Sequence, residues 1–223
     1  MDLFIIKVII FIIIFLIITN WFQIYSFSKL IVGKKIKTSS IKDSWINKTV
    51  KKKTGLSLLN ITLFHDKKMY GLMAGLPFWP KMILSEGLYK NLNRDELEWV
   101  ILHEAGHCVL WHNLEAFIIE LVFIFSGLYL IKVFELNLLG SFLVSIFFSL
   151  ICIQIIRWSI EYFADKYSIN RVDNPRGVIT AQDKFRKNYF KNPFNKEGSI
   201  LRFLLHWNIT YSKRIEMAKR RLS

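Results

Sequence analysis

Three long apolar runs dominate the pattern of hydrophobic and polar positions: Leu3–Phe22, Ala116–Phe134 and Leu138–Ile156. Each approaches the roughly 20 apolar residues that a bilayer-spanning helix requires, so the pattern predicts three transmembrane helices. The first run has Asp2 in place of a basic leading region and no small-residue cleavage signal after it, so it reads as a retained anchor. Lys7, the one charge within it, can snorkel to the nearer interface. Only Glu135, Leu136 and Asn137 separate the second run from the third, which predicts a helical hairpin that returns the chain to its starting side. The alternative, a hairpin buried in a soluble protein, would need more polar covering surface than so short a chain can supply. Within the second run, Glu120 and Lys132 are expected near an interface or against a partner helix.

Shorter periods fill the rest of the chain. From Ser39 to Lys53, Ile41, Trp45, Ile46 and Val50 recur at helical spacing before Gly55, which predicts one amphipathic helix. Leu59–Phe64, Met69–Ala74 and Lys81–Ser85 are short runs divided by polar and Gly-Pro breaks, the signature of an antiparallel meander. Asn93 followed by Glu96 resembles a capping box and opens a helix through Leu97, Val100, Ile101 and Leu102. Beyond the third apolar run a helix is expected through Glu161 and Asp165, then a loop from Arg171 to Gly177. A last amphipathic helix is expected with Tyr211, Ile215, Ala218 and Leu222 on one stripe. The expected fold class is mainly α with a small antiparallel β-sheet, in an integral membrane protein. Its expected segments are an anchor over 1–27, a cytoplasmic region over 28–113, a transmembrane hairpin over 114–157 and a second cytoplasmic region over 158–223.

Composition agrees with this division. The chain is 52% hydrophobic, with only 10 Gly and 4 Pro, which excludes disordered and collagen-like classes. Lys and Arg number 31 against 17 Asp and Glu, a formal net charge of +14. The densest basic stretches, Lys34-Lys35-Ile36-Lys37 and Lys51-Lys52-Lys53, follow the first apolar run, so the charge reads as a cytoplasmic membrane flank and not as a nucleic-acid surface. That places the N-terminus outside and both non-membrane regions on the cytoplasmic face. Cys108 and Cys152 make no disulfide framework and read as buried thiols.

The chemistry centres on His103-Glu104-Ala105-Gly106-His107, an HExxH sequence on a predicted helix. Positions i and i+4 share a helix face, so His103 and His107 can present two imidazoles to one zinc ion, with Glu104 beside them as general base toward a water there. Gly106 costs about 1 kcal/mol relative to Ala inside a helix, which close approach of substrate or a neighbouring helix would explain. Hydrolytic zinc takes a third protein ligand and leaves a fourth position open. The metzincin pattern is excluded, because Leu110 and Asn113 stand where it needs Gly and His. His112, five residues past His107, falls about 140° round a continuing helix and is expected off the ligand face, near the membrane surface. Glu161 and Asp165 are again i and i+4, directly after the third run. Glu161 can complete the zinc site while Asp165 accepts the outer N–H of a ligand histidine. A charged helix face with Arg157 paired to Glu161 is the alternative. If both spans end at one interface, His107 stands about 14 Å and Glu161 about 8 Å along their helices from it, so the hairpin would hold the two motifs together.

These motifs resemble those of the HtpX-type and CAAX prenyl endopeptidases, membrane zinc metalloproteases of the gluzincin group. The resemblance runs from about Ile41 to Leu222 and includes Thr54-Gly55-Leu56, Ile83 to Leu88, Arg94 to Leu97, the HExxH motif, the span pair and Glu161-Tyr162-Phe163-Ala164-Asp165. It implies a zincin-like fold, one Zn2+ per chain, and peptide or protein substrates. By its late elements, Leu205-His206-Trp207 and Arg214-Ile215, it implies a catalytic hydrogen-bond donor at His206. Trp207 stands where the family has Pro, Tyr70-Gly71-Leu72 where it has Asn-Ala-Phe, and there is one N-terminal span where HtpX proteins have two. The expected function is cleavage of membrane or membrane-associated proteins at the cytoplasmic face in quality control. A processing protease for one partner and a non-catalytic zinc-binding membrane protein are the alternatives, and Glu104 argues against the latter, since a structural site has no use for a base.

Overall fold

The computed structural model describes residues 37–133, 155–189 and 211–223. The chain divides into two compact units, Lys37–Asn113 with Arg157–Ser223, and Met1–Ile36 with Leu114–Ile156. The first unit is mostly helical with a small sheet. Its elements are β1 (Thr38–Ile41), α1 (Ser44–Thr54), β2 (Asn60–Phe64), β3 (Gly71–Ala74), β4 (Lys81–Ser85), α2 (Glu86–Asn91) and α3 (Arg94–Val109). α4 (His112–Val133) leads out of this unit, and the chain re-enters it along α5, a helix over residues 155–169. α6 (Pro175–Tyr189) and α7 (Tyr211–Leu222) complete the described elements.

Local chemistry sets most boundaries. The predicted helix from Ser39 is in fact two elements: Ser39 and Ile41 lie in β1, and α1 starts only after Asp43, whose carboxylate accepts from the Trp45 and Ile46 N–H groups. Asp43 is the stronger cap, and the residues before it find hydrogen-bond partners in β2 instead. Gly55, at φ 78°, closes α1 in the left-handed conformation that glycine adopts without penalty. The capping box of α3 forms as its spacing predicts: Glu96 N–H donates to Asn93 Oδ1 at 3.0 Å, and Asn93 N–H donates to Glu96 Oε2 at 2.8 Å. The loop expected through Gly177 is corrected, because α6 begins at Pro175, a residue pre-set for the first helical position. Gly177 is needed there, since an added Cβ would stand 2.6 Å from the Asp95 backbone.

The sheet is mixed, which corrects the expected antiparallel meander. Its order is β1-β2-β4-β3, with β2 parallel to β4 in the register Asn60↔Lys81 to Phe64↔Ser85. The reason lies in the connection after β2. It passes over the start of α2, where Gly87 N–H donates to Asp66 O at 2.8 Å and a Cβ on Gly87 would meet Lys67 O at 2.1 Å. The chain therefore reaches the far side of β4 before β3 forms and turns back through Gly75. Apolar residues alternate along each inner strand, Ile61 and Leu63 on β2, Met82 and Leu84 on β4, all buried. They join Ile46 and Val50 of α1 and Leu97, Ile101, Leu102 and Ala105 of α3 in one core. Each such side chain contributes about 1.5–3 kcal/mol when fully buried. On α7 the buried positions are Arg214 and Ala218, whereas Leu222, placed on the buried stripe by its spacing, is 46% exposed.

Of the three predicted spans, Leu3–Phe22 lies outside the described residues, as does all but the end of Leu138–Ile156. The second coincides with α4, which exposes Phe117, Ile118, Val122 and Phe125. Among the described residues no single helix is both long enough and apolar enough to cross a membrane.

Candidate metal centre

Two helices of the first unit bring the predicted residues together. α3 presents His103 and His107 one turn apart, and α5 presents Glu161 and Asp165 one turn apart, so two i, i+4 faces meet. Close approach of the helices makes this possible. A Cβ on Gly106 would stand 3.2 Å from the Tyr167 ring and 3.5 Å from Ala164 O, so it is the neighbouring helix that occupies the space glycine leaves.

At the junction, His103 Nε2 and His107 Nε2 are 3.2 Å apart, His103 Nε2 is 3.4 Å from Glu161 Oε2, and His107 Nε2 is 3.5 Å from Glu161 Oε1. A small divalent metal bonded tetrahedrally at ~2.0–2.1 Å holds neighbouring ligand atoms about 3.3 Å apart, by the geometry of a tetrahedron. The donor set therefore fits such an ion in type, number and spacing, and among the described residues it is the one group that does.

The supporting atoms make the fit directional. Asp165, fully buried, places Oδ1 2.9 Å from His103 Nδ1, off the axis of an ideal N–H bond but close enough to hold the proton on that nitrogen. Its other oxygen, Oδ2, accepts from Arg214 Nε at 2.6 Å, and Arg214 also donates to Glu161 Oε2 at 3.4 Å. Arg214 comes from α7, lies 9% exposed and stacks over Trp99 at 5.7 Å. It is thus the buried cation that balances the two acids of α5. Its spacing on a basic, amphipathic helix gives no hint of this.

His112 corrects its sequence-based placement. It is 4% exposed, and its Nδ1 lies 3.0 Å from His107 Nδ1. The cause is a break the sequence does not signal. α3 ends at Val109, and Trp111 adopts φ 57°, a left-handed conformation that costs a side-chain-bearing residue about 1–2 kcal/mol. That turn interrupts the helix, so His112 lies against His107 instead of continuing round it.

Electrostatics follow from burial and these neighbours. Burial by itself would lower His103, but the carboxylates of Asp165 and Glu161 prevail and raise it to about 10. Burial, reinforced by the charge on His103, lowers His107 to about 3. Glu161 resists the upward push of burial because His103 hydrogen-bonds to it, and lies at about 2. Burial raises Glu104 to about 7, with His103 and the Met73 N–H opposing. Glu104 sits beneath β3, where a Cβ on Gly71 would stand 3.3 Å from its Cγ. β3 is an outer strand of the sheet, so one of its edges has no neighbour among the described strands. His206, the donor implied by resemblance, lies outside the described residues.

Comparison with known proteins places this geometry. The profile of peptidase family M48 matches residues 43–193, which takes in both the HExxH motif and the α5 acids. The solved structure of S. mikatae Ste24p superposes with a TM-score of 0.62 at 17% identity, over 88% of this chain and 55% of that one. The likeness is therefore one of fold, and the chain spans about half the length of that protein. No curated protein matches. With a family match over most of its length, and with two histidines and a glutamate set at metal-ligand spacing beside a buried acid, the chain belongs to peptidase family M48, a family of metalloendopeptidases.

Proposed function

We propose that the chain is a zinc-dependent endopeptidase, closer to the HtpX type than to the prenyl type, that cleaves membrane or membrane-associated proteins at the cytoplasmic bilayer surface. The observation that carries the chemistry is the triangle of ligand atoms, 3.2, 3.4 and 3.5 Å on its sides, with Glu104 next to it. A zinc ion held by His103, His107 and Glu161 would polarise the scissile carbonyl and acidify water.

The protein's own groups do the rest. Glu104, poised by burial near neutrality, takes a proton from the attacking water and returns it to the leaving amine. Asp165 keeps the His103 proton on Nδ1 so that Nε2 offers its lone pair. Arg214 neutralises the acid pair and fixes both carboxylates. The unpaired edge of β3 can receive an extended peptide as an added strand, its backbone passing over Glu104 where Gly71 has no side chain. The membrane location rests on the apolar runs and on α4, whose exposed Phe117, Ile118, Val122 and Phe125 suit lipid and not water.

Glu104→Gln tests the mechanism. The variant should retain zinc and lose casein cleavage by about 10²–10⁴-fold, the usual contribution of a general base. Near-normal turnover would remove Glu104 from the reaction, and loss of zinc would make it a ligand.

A further inference from the structure

The structure assigns His112 as the positioning residue for His107, holding that ring in the tautomer that aims Nε2 at the metal. This rests on the zinc reading above and adds to it a residue outside the HExxH motif.

The ring of His107 has two nitrogens with different tasks. Nε2 faces His103 Nε2 at 3.2 Å and Glu161 Oε1 at 3.5 Å, so it is the ligating atom. To keep a lone pair there, a neutral ring must carry its proton on Nδ1. Across from Nδ1, at 3.0 Å, stands His112 Nδ1. A proton on His107 Nδ1 can be donated only if His112 Nδ1 offers a lone pair, which in a neutral ring puts the His112 proton on Nε2. The pair is complementary in two arrangements, with either ring donating from Nδ1, and only the one in which His107 donates leaves its Nε2 lone pair for ligation. The rings meet at 5.1 Å between centroids and 70° between planes, so they contact by their edges and not as a stack.

The arrangement mirrors the other ligand. His103 Nδ1 is held by Asp165 from α5, and His107 Nδ1 is held by His112 from the start of α4. Each ligand histidine therefore has its own outer partner, supplied by a different helix. Trp111 supports this reading independently. A bulky residue held at φ 57° is maintained against local preference, and the consequence of that turn is the return of His112, 4% exposed, onto His107.

The test compares His112→Leu with His112→Asn in the full chain, purified in detergent. Leu fills similar volume with no acceptor, whereas Asn places Oδ1 close to the position of the histidine Nδ1. Zinc dissociation constants are measured by competition with a chromogenic chelator, and thermal stability is measured with zinc removed by excess chelator. His112→Leu is expected to bind zinc about 10 to 100-fold more weakly, the range for losing an outer partner of a ligand histidine, and His112→Asn to lie within about threefold of wild type. Stability with zinc removed should be the same in all three. Equal zinc affinity in wild type and His112→Leu overturns the assignment, and so does an equal loss in Leu and Asn that tracks stability, which would show a packing role. His103→Ala serves as the control for the site: if it leaves zinc affinity unchanged, the zinc reading itself fails, and the His112 assignment falls with it.

Discussion

Removing Arg214 probes the charge balance on which the centre depends. Arg214 is 9% exposed, and its guanidinium donates at 2.6 Å to Asp165, itself fully buried, and at 3.4 Å to Glu161. In Arg214→Met the methionine can fill the aliphatic part of the space beside Trp99, but both acids lose their cation. Removing one partner of a buried ion pair costs about 3–5 kcal/mol, because the remaining charge stays desolvated and unpaired. For a chain of this size 1 kcal/mol corresponds to ~2–4 °C, so the melting temperature should fall by roughly 6–20 °C. Cys108, 2% exposed, supplies the assay: in a Cys152→Ala background, a thiol-reactive dye added to detergent-purified protein reports unfolding as that thiol is released. A cycle with Asp165→Asn isolates the interaction, since asparagine keeps an oxygen for His103 and removes the charge facing Arg214. The double variant should be less destabilised than the sum of the singles by about 1–3 kcal/mol. Arg214→Lys, which keeps the charge but not the planar fork, should fall between wild type and Met. A change below about 1 kcal/mol in Arg214→Met, or strict additivity in the cycle, would refute the assignment of Arg214 as the counter-ion of the site.

Glu161→Ala should abolish most zinc binding measured by metal analysis, whereas Asp165→Ala should weaken it about 10 to 100-fold and respond to excess zinc; equal mild effects would dissolve the three-ligand site. Because His103 is raised to about 10, it is an imidazolium at neutral pH, and zinc must displace its Nε2 proton. Calorimetry in buffers of different ionisation enthalpy should therefore show close to one proton released per zinc at pH 7, with affinity rising between pH 6 and 9. By the same sign, the stabilisation that the raised His103 contributes to the protein with zinc removed is complete below its ordinary value of 6.5 and is lost as pH rises through about 10. In a background with Cys108 and Cys152 replaced by Ala, cysteines at Lys52 and Ser223 should be protected from an impermeant external reagent and one at Asn137 labelled. The reverse pattern would overturn the hairpin and the cytoplasmic placement.

Sequence periodicity reaches far into this protein because its candidate metal-binding residues lie on two helices. A helix repeats every 3.6 residues whatever surrounds it, so His103 with His107 and Glu161 with Asp165 are legible as shared faces before any packing is known. The capping box at Asn93 and Glu96 marks the start of the first of these helices, because both partners are local. What tertiary structure decided are the features that depend on where one segment lies against a distant one. The parallel pairing of β2 with β4 follows from a connection crossing over Gly87, which alternation within a strand cannot report. The reach of Arg214 from α7 to Asp165 links residues 49 positions apart; resemblance marks Arg214-Ile215 as an element, but periodicity on its own helix shows one basic residue among several and not its partner. Helical spacing puts His112 off the face of His107, and only tertiary structure reveals the left-handed turn at Trp111, unmarked by glycine or proline, that sets the next ring against His107.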